Sequence, residues 1–508
     1  MPDVLAQPAC LLGIDCGNTV IKAALFTTEG RELAVHAESV DTLRPAPGFA
    51  ETDMEMHWRQ CSSAIRAVLT ASGIDPASIV GIGTSGHGNG LYTLDREGAP
   101  LKAIQSMDTR AEQQLATGDL DHAAILALNH QGIWAAQTPV LLRWLKTFEH
   151  ATYQQIGTAF LCKDYVGYCL TGERGSDYTD MSGCGLLDFE QGSYSSRLLS
   201  CFDLADAEAS LPPLRHSTDV LGRVTEAAAE LTGLKAGTPV VAGLFDVVAS
   251  TLGSGVERTG QASIIAGTWS CNQAVVDSLP PPGSIFMPSQ FDHSRFLAIE
   301  SSATSTANLE WFIREFCAAE MQQAQAAGCS VYDVISEQLK RIELPSDQPL
   351  FHPYLYGAGQ AAQARAGFYG ITGWHDRGSL LYALFEGVVF GHRQHIERLQ
   401  KAGVPFQSAT LTGGGARSRY WTQLFADILG IEIHTAAGSE TGALGAAIAA
   451  GTGSGVFAHY ADGCAAMTNR LESFTPRPDL KPYFDQRYQW FVELWHTLDP
   501  VWRRMARG

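Results

Sequence analysis

The sequence contains no run of Lys or Arg that could track a phosphate backbone, and its 35 basic residues face 53 acidic ones, a formal net charge of −18. That balance speaks against a nucleic-acid partner, while leaving room for an anionic small molecule held by a few local groups. No stretch approaches the ~18 apolar residues of a membrane span. The opening segment MPDVLAQPACLLGID lacks the basic region and long apolar core of a signal peptide. No membrane and a cytoplasmic location are therefore expected. The 11 Cys are an odd number, scattered without one C-x-x-C pair, so no local zinc motif, redox motif or disulfide framework is expected. Charged residues are scarce at 17%, against 45% hydrophobic. Packed cores are thus expected, and disordered, collagen-like and coiled-coil classes are excluded. A chain of 508 residues exceeds one ordinary core, so two large domains are expected.

What is present reads as alternating strands and helices. Leu11-Leu12-Gly13-Ile14, a polar turn and the run from Val20 predict a hairpin with its tip at Gly17. A helix is predicted from Met54 to Ala71, with Trp58, Ile65 and Val68 on its apolar side, followed by a short buried strand at Ile79–Ile82. A second hairpin is predicted at Ala262–Ala266 and Cys271–Val276 around Gly267-Thr268-Trp269-Ser270. A later strand, 409–412, leads into Gly413-Gly414-Gly415. The order of hairpin, helix and strand with a Gly-rich end occurs twice, which predicts two related halves meeting near residue 250. The tail from 482 to 507 reads as one amphipathic helix. The class is α/β.

Four segments could carry chemistry. Asp15-x-Gly17-Asn18-Thr19-x-x-Lys22 suits a phosphate-binding hairpin, with Lys22 neutralising charge and Asp15 holding hydrated Mg²⁺; a plain hairpin turn uses the same residue types. Gly81-x-Gly83-x-x-Gly86 follows a strand, as a dinucleotide fingerprint would, but no helix starts after it. The loop that follows, with His87 and Asn89, suits a polyhydroxylated ligand better, and ordinary turn residues also explain it. Gly413-Gly414-Gly415-Ala416-Arg417-Ser418 would let a backbone approach a flat or anionic group at a helix N-terminus. Glu440-Thr441-Gly442-Ala443-Leu444-Gly445 reads as small-residue helix packing. Asp246 follows an apolar strand and reads in isolation as a helix N-cap, with a catalytic base as the sharper alternative.

Together the segments GIDCGNTVIKAALF, PGFAETDMEMHW, LCKDYVGYCLTGE, GLFDVVAS, the GTWS hairpin, LTGGGARSRYW and ETGALGAAIAAG resemble the FGGY family of carbohydrate kinases, over essentially the whole chain. The resemblance implies two actin-like (ribonuclease H-like) ATPase domains with a ligand cleft between them. It implies an N-terminal domain over 1–252 carrying sugar, phosphate and catalytic base, and a nucleotide-binding C-terminal domain over 253–508 with a C-terminal helix. It assigns Asp246 as catalytic base, also touching substrate, and Asp15 as the metal-linked carboxylate. Gly17, Asn18, Thr19 and Lys22 would serve one phosphate hairpin, and Gly267 and Thr268 the other. Thr306, Glu310, Gly413, Gly414, Gly415, Ala416 and Ser418 would line the nucleotide. His87, Asn89, Asp108 and Arg110 would hold the sugar. ATP and Mg²⁺ are the implied cofactors and a small-molecule sugar the partner, with a homodimer left open. SSATSTANLEWF and LFDVV look most similar to the L-xylulose (3-keto-L-gulonate) branch. The implied activity is phosphorylation of a primary hydroxyl on a ketopentose such as L-xylulose. The alternatives are erythritol, another pentitol, D-xylulose or 3-keto-L-gulonate, or a non-catalytic sugar sensor on the same fold.

Overall fold

The structure, a computed structural model, describes residues 8–506 apart from 359–362, 437 and 439. The chain opens with strands β1 (Cys10–Cys16), β2 (Val20–Thr27) and β3 (Glu32–Ser39). Helix α1 (Met54–Ser72) begins where the Asp53 carboxylate accepts the Met56 N–H at 2.8 Å and ends at Gly73, whose φ of +63° suits glycine. Then come β4 (Ile79–Gly86), α2 (Cys162–Thr171), β5 (Val220–Arg223), β6 (Pro239–Val241) and β7 (Leu244–Phe245), which runs directly into α3 (Asp246–Gly253). Further along lie β8 (Ala262–Ala266), β9 (Ser270–Val276), β10 (Phe296–Ser302), α4 (Ala307–Phe316) and α5 (Arg377–Lys401). The chain continues through β11 (Ser408–Thr412), α6 (Arg419–Leu429), β12 (Glu432–Ala436), α7 (Thr441–Gly453), β13 (Arg470–Phe474) and α8 (Lys481–Met505). Further helices and strands fill the intervals. Both predicted hairpins, the helix from Met54 and the tail helix are present; residue 507 of the predicted tail lies outside the described residues.

Two compact units result. The first comprises Met1–Thr259, Val275–Ala298 and Glu440–Asn469; the second comprises Gly260–Ala274, Ile299–Ser439 and Arg470–Gly508. In the first, the main sheet has the order β5-β6-β4-β1-β2-β3, with β7 also paired to β4. The β1–β2 pair is antiparallel and sets Asp15 opposite Lys22; the β1–β4 pair is parallel and sets Asp15 opposite Ser85. The parallel β7–β4 pair sets Phe245 opposite Gly86. Asp15, Ser85 and the start of α3 therefore share the carboxyl end of the parallel strands, where open α/β sheets characteristically bind ligands.

Strand alternation explains how this sheet is covered. Cys10, Leu12, Ile14 and Cys16 of β1 face one side and pack with Ile65 and Val68 of α1 and Val166 of α2. The opposite face is covered by α7 at backbone contact. A Cβ on Gly13 would stand 1.8 Å from the Ala443 carbonyl oxygen, and one on Gly83 2.0 Å from that of Ala446. The glycines of Gly81-Ile82-Gly83-Thr84-Ser85-Gly86 therefore lie inside β4, a strand longer than the predicted Ile79–Ile82. They serve helix–sheet approach, and no strand-to-helix phosphate turn forms there.

The second unit orders its strands β10-β9-β8-β11-β12-β13. Its β8–β9 pair is antiparallel and its β8–β11 and β11–β12 pairs are parallel. An antiparallel hairpin beside parallel strands thus recurs in both units, as the repeated sequence order predicts. Helix α8 docks through buried Phe484, Tyr488 and Phe491. Its Arg487 donates to both carboxylate oxygens of Glu386 on α5, at 2.7 and 2.6 Å, in a fully buried fork. Among the described residues, no helix is long and apolar enough to cross a membrane.

Candidate active site

In the first unit several candidate residues gather at the carboxyl ends of β1, β4 and β7. Asp15 is the penultimate residue of β1, and its Oδ1 accepts the Ser85 hydroxyl at 2.7 Å. Burial raises its pKa; the Ser85 hydrogen bond and Lys22 work against that, and Glu440 adds to it. The α7 backbone crowds this carboxylate, since a Cβ on Gly442 would lie 2.5 Å from Oδ2. Lys22, opposite in the hairpin, forms an ion pair with Glu440 at 2.7 Å. Gly17 closes the hairpin by donating to the Val20 carbonyl at 3.0 Å, and Thr19 stands exposed at the tip. Asn18 is turned toward the next loop: its Nδ2 donates to Ser106 Oγ at 2.8 Å and its Oδ1 accepts the Ser106 N–H at 3.2 Å.

Asp246 is the first residue of α3, with Phe245 in the N-cap position and no side-chain cap hydrogen bond. Asp246 thus occupies the first helical position rather than the cap, and its carboxylate accepts the Val247 N–H. Burial, with the charge of Asp15 second, pushes its carboxyl up to about 8. The loop carrying His87 and Asn89 lies flat on the neighbouring ring, because a Cβ on Gly88 would meet Phe245 at 2.3 Å. His87 Nε2 is 3.2 Å from the Tyr92 hydroxyl, whereas His87 Nδ1 and Asn89 Oδ1 are buried without partners. Asn89 holds φ at +63°, an uncommon conformation for a residue other than glycine.

Asp108 and Arg110 form a closed unit. Asp108 Oδ1 accepts the Arg110 N–H and Nε, both at 2.9 Å; Oδ2 accepts the Ala50 N–H at 2.6 Å and Arg110 Nη2 at 2.9 Å. All four acceptor positions of the carboxylate are occupied. Arg110 also donates to Glu51 at 2.7 Å, stacks 4.0 Å from the Phe49 ring centroid, and leaves Nη1 buried and unpaired.

Sequence reasoning missed a supporting cluster. Lys163 is fully buried and pairs with Asp164 at 2.5 Å, Asp177 at 2.9 Å and Asp180 at 3.8 Å. Burial opposes its ammonium charge, but the three carboxylates outweigh burial and raise its pKa. Asp177 Oδ2 accepts the Thr179 hydroxyl at 2.6 Å, and Thr179 Oγ1 in turn accepts the Phe245 N–H at 2.9 Å. This chain of bonds fixes the backbone next to Asp246. The Lys163-Asp164 pair at a helix start was the available signal, but its acidic partners lie over ten residues away.

The second unit assembles its own group. Thr268 is exposed in the β8–β9 turn, and the Thr306 N–H donates to the Gly267 carbonyl at 2.9 Å. Gly413, with φ +84°, and Gly415 abut Ala266, where added Cβ atoms would fall 2.7 Å from its carbonyl oxygen and its Cβ respectively. Gly414 is exposed, with no atom within 4 Å of an added Cβ, and Ala416 donates back to the Gly413 carbonyl at 3.2 Å. The Thr306 hydroxyl reaches Glu310 at 3.5 Å. Ser418 caps α6, and beside it opens a cavity of about 540 Å³ lined by Ser336, Lys340 and Arg417.

These two groups of residues belong to a sugar kinase, a phosphotransferase. The N-terminal domain of the FGGY family of carbohydrate kinases matches residues 10–253 and its C-terminal domain residues 262–454. The chain belongs to that family. It is 35% identical over 488 residues to the L-xylulose/3-keto-L-gulonate kinase of Escherichia coli K12, covering 95% of this chain and 96% of that one. It is 34% identical over 444 residues to a probable L-xylulose kinase of Haemophilus influenzae, covering 86% and 89%. Among solved structures, the xylulose kinase from Rhodospirillum rubrum superposes with a TM-score of 0.87 at 27% identity, over 97% of this chain and all of that one.

Proposed function

We propose that the protein transfers the γ-phosphoryl group of ATP to a primary hydroxyl of a ketopentose, L-xylulose first among them. The observation that carries this reading is the Asp246 carboxylate at the first position of a helix, its pKa pushed up to about 8 by burial and by the charge of Asp15. A carboxyl tuned upward is suited to take a proton from a sugar hydroxyl as its oxygen attacks phosphorus. The similarity to the L-xylulose/3-keto-L-gulonate kinase of Escherichia coli supports the substrate class. ATP as donor fits a cytoplasmic reaction.

Positioning and electrostatics carry most of a phosphoryl transfer. Gly17, Thr19 and Lys22 would meet phosphate oxygens from the first unit, with Lys22 exchanging Glu440 for the phosphate. Gly267, Thr268, Thr306, Glu310, Gly413 to Ala416 and Ser418 would hold nucleotide on the second. Asp15 offers a hard oxygen donor, and Mg²⁺ held there would offset charge on the transferred group. His87 Nδ1, Asn89 Oδ1 and Arg110 Nη1, buried and unpaired, are suited to sugar hydroxyls. Asp108 acts as a positioning residue that aims Arg110.

Three results test this reading. ADP release measured across ketopentoses, pentitols, erythritol and 3-keto-L-gulonate should be fastest with L-xylulose; turnover confined to a polyol would overturn the substrate. Removal of a hydrogen bond to a charged group costs ~1.5–3 kcal/mol, so Asp108→Ala should raise the sugar KM about tenfold or more with the ATP KM little changed. An equal rise for ATP would take Asp108 out of the sugar site. Because free Asp246 is protonated well below about 8, kcat/KM should climb with pH toward that value and then level off. A flat profile from pH 6 to ~9 would contradict its role as the base.

A further inference from the structure

The sequence contains no local metal-binding spacing, yet the fold brings soft ligands together from three separate elements. Cys16 ends β1, His57 lies on α1 and Cys162 is the first residue of α2. Their ligand atoms all lie within 4.8 Å of one another, and His57 Nε2 is 3.4 Å from Cys162 Sγ. A fourth candidate, Cys61, follows His57 by four residues on the same face of α1, and its thiol contacts that of Cys16. All four side chains are completely buried. Tetrahedral zinc with Zn–S and Zn–N bonds of ~2.3 and ~2.0 Å separates neighbouring ligand atoms by about 3.5–3.8 Å, a spacing that the His57–Cys162 pair already approaches.

We propose that Cys16, His57 and Cys162 form a site for one zinc ion, and that Cys61, whose thiol lies outside that 4.8 Å group, moves in on loading to close the tetrahedron. The thiolate and imidazole set selects a soft or borderline divalent ion over Mg²⁺, which takes oxygen ligands. On binding, each of the three thiols releases its proton to solvent as its sulfur–zinc bond forms, and neutral imidazole donates the Nε2 lone pair. With no exposed ligand, loading would accompany folding. The ion would have structural consequences for the phosphate hairpin. Cys16 adjoins Asp15 and Gly17, and its carbonyl accepts the His87 N–H at 2.9 Å. Zinc would thus lock the base of the hairpin and the start of the His87 loop against α1 and α2.

The test is metal analysis of the untagged whole chain. Protein made in zinc-supplemented cells and purified under reducing conditions without chelator should carry about one zinc per chain by mass spectrometry of the elements. Protein refolded anaerobically with Co²⁺ should show thiolate-to-cobalt charge-transfer bands and the intense visible bands of a tetrahedral site. Cys162→Ser, close in size, should lose both signals, whereas Cys329→Ser, at an exposed thiol, should keep them; circular dichroism checks folding. Zinc below about half an equivalent, with no cobalt bands in the folded parent, would overturn the proposal whatever the variants do. So would an undiminished cobalt spectrum in folded Cys162→Ser.

Discussion

Replacing Asp246 with Asn should leave a folded protein that binds sugar and ATP but turns over at least ~10²–10⁴-fold more slowly, the range a general base contributes. Asn matches Asp in size and still offers an acceptor oxygen, so packing against Phe245 and the start of α3 should survive. What it lacks is a charge that can take a proton. Thermodynamic linkage gives an independent check on folding. The carboxyl has a folded pKa of about 8 against an ordinary 3.8, so its contribution to stability is present below the unfolded value and is lost as pH rises through the folded one. The Asn variant should escape that loss. Above pH ~8 it should be no less stable than the parent, even while nearly inactive. Steady-state kinetics on L-xylulose with denaturant unfolding at pH 6 and pH ~9 would measure both effects. Turnover within about tenfold of the parent in a folded Asn variant would remove Asp246 as the base.

Legibility in the sequence followed the range of the interactions. Hairpins, α1, α8 and the glycine turn after β11 were readable because apolar periodicity and turn residues act over a few positions. The role proposed for Asp246 emerged only through family resemblance, since a lone carboxylate after a strand looks like a cap. Three features were beyond reach for a common reason. Glu440 meets Lys22, Asp177 meets Lys163, and Asn18 meets Ser106 through pairings set by tertiary packing. Asp108 illustrates the same limit: it reads as a sugar ligand in the loop, yet all its acceptor positions are filled by Arg110 and the Ala50 N–H. The discontinuous first unit arises because α7, distant in sequence, supplies the cover for β1 and β4.

That last contact has the largest expected effect on folding. Gly83→Ala should destabilise the first unit by about 3 kcal/mol or more, at or beyond the upper end of ordinary overpacking. The added Cβ would fall 2.0 Å from the Ala446 carbonyl oxygen, and on the facing helix a Cβ at Gly445 would fall 1.9 Å from that of Ala249. In both cases the obstacle is backbone, which no rotamer change can move aside. Relief requires lifting α7 off the sheet, and that separates the contacts of Gly13 and Gly81 as well. The expected result is a lower denaturant midpoint and faster proteolysis within the first unit. Gly132→Ala is the control: no atom lies within 4 Å of its added Cβ, and its φ is not in the left-handed region, so stability should hold or rise by ~0.4–1 kcal/mol. The dinucleotide reading of Gly81-x-Gly83-x-x-Gly86 predicts the opposite pattern, with NAD(H) binding lost and folding intact. A Gly83→Ala protein within ~0.5 kcal/mol of the parent would show that α7 does not need this glycine, and the close-packing account of the G-x-G pattern would fall with it.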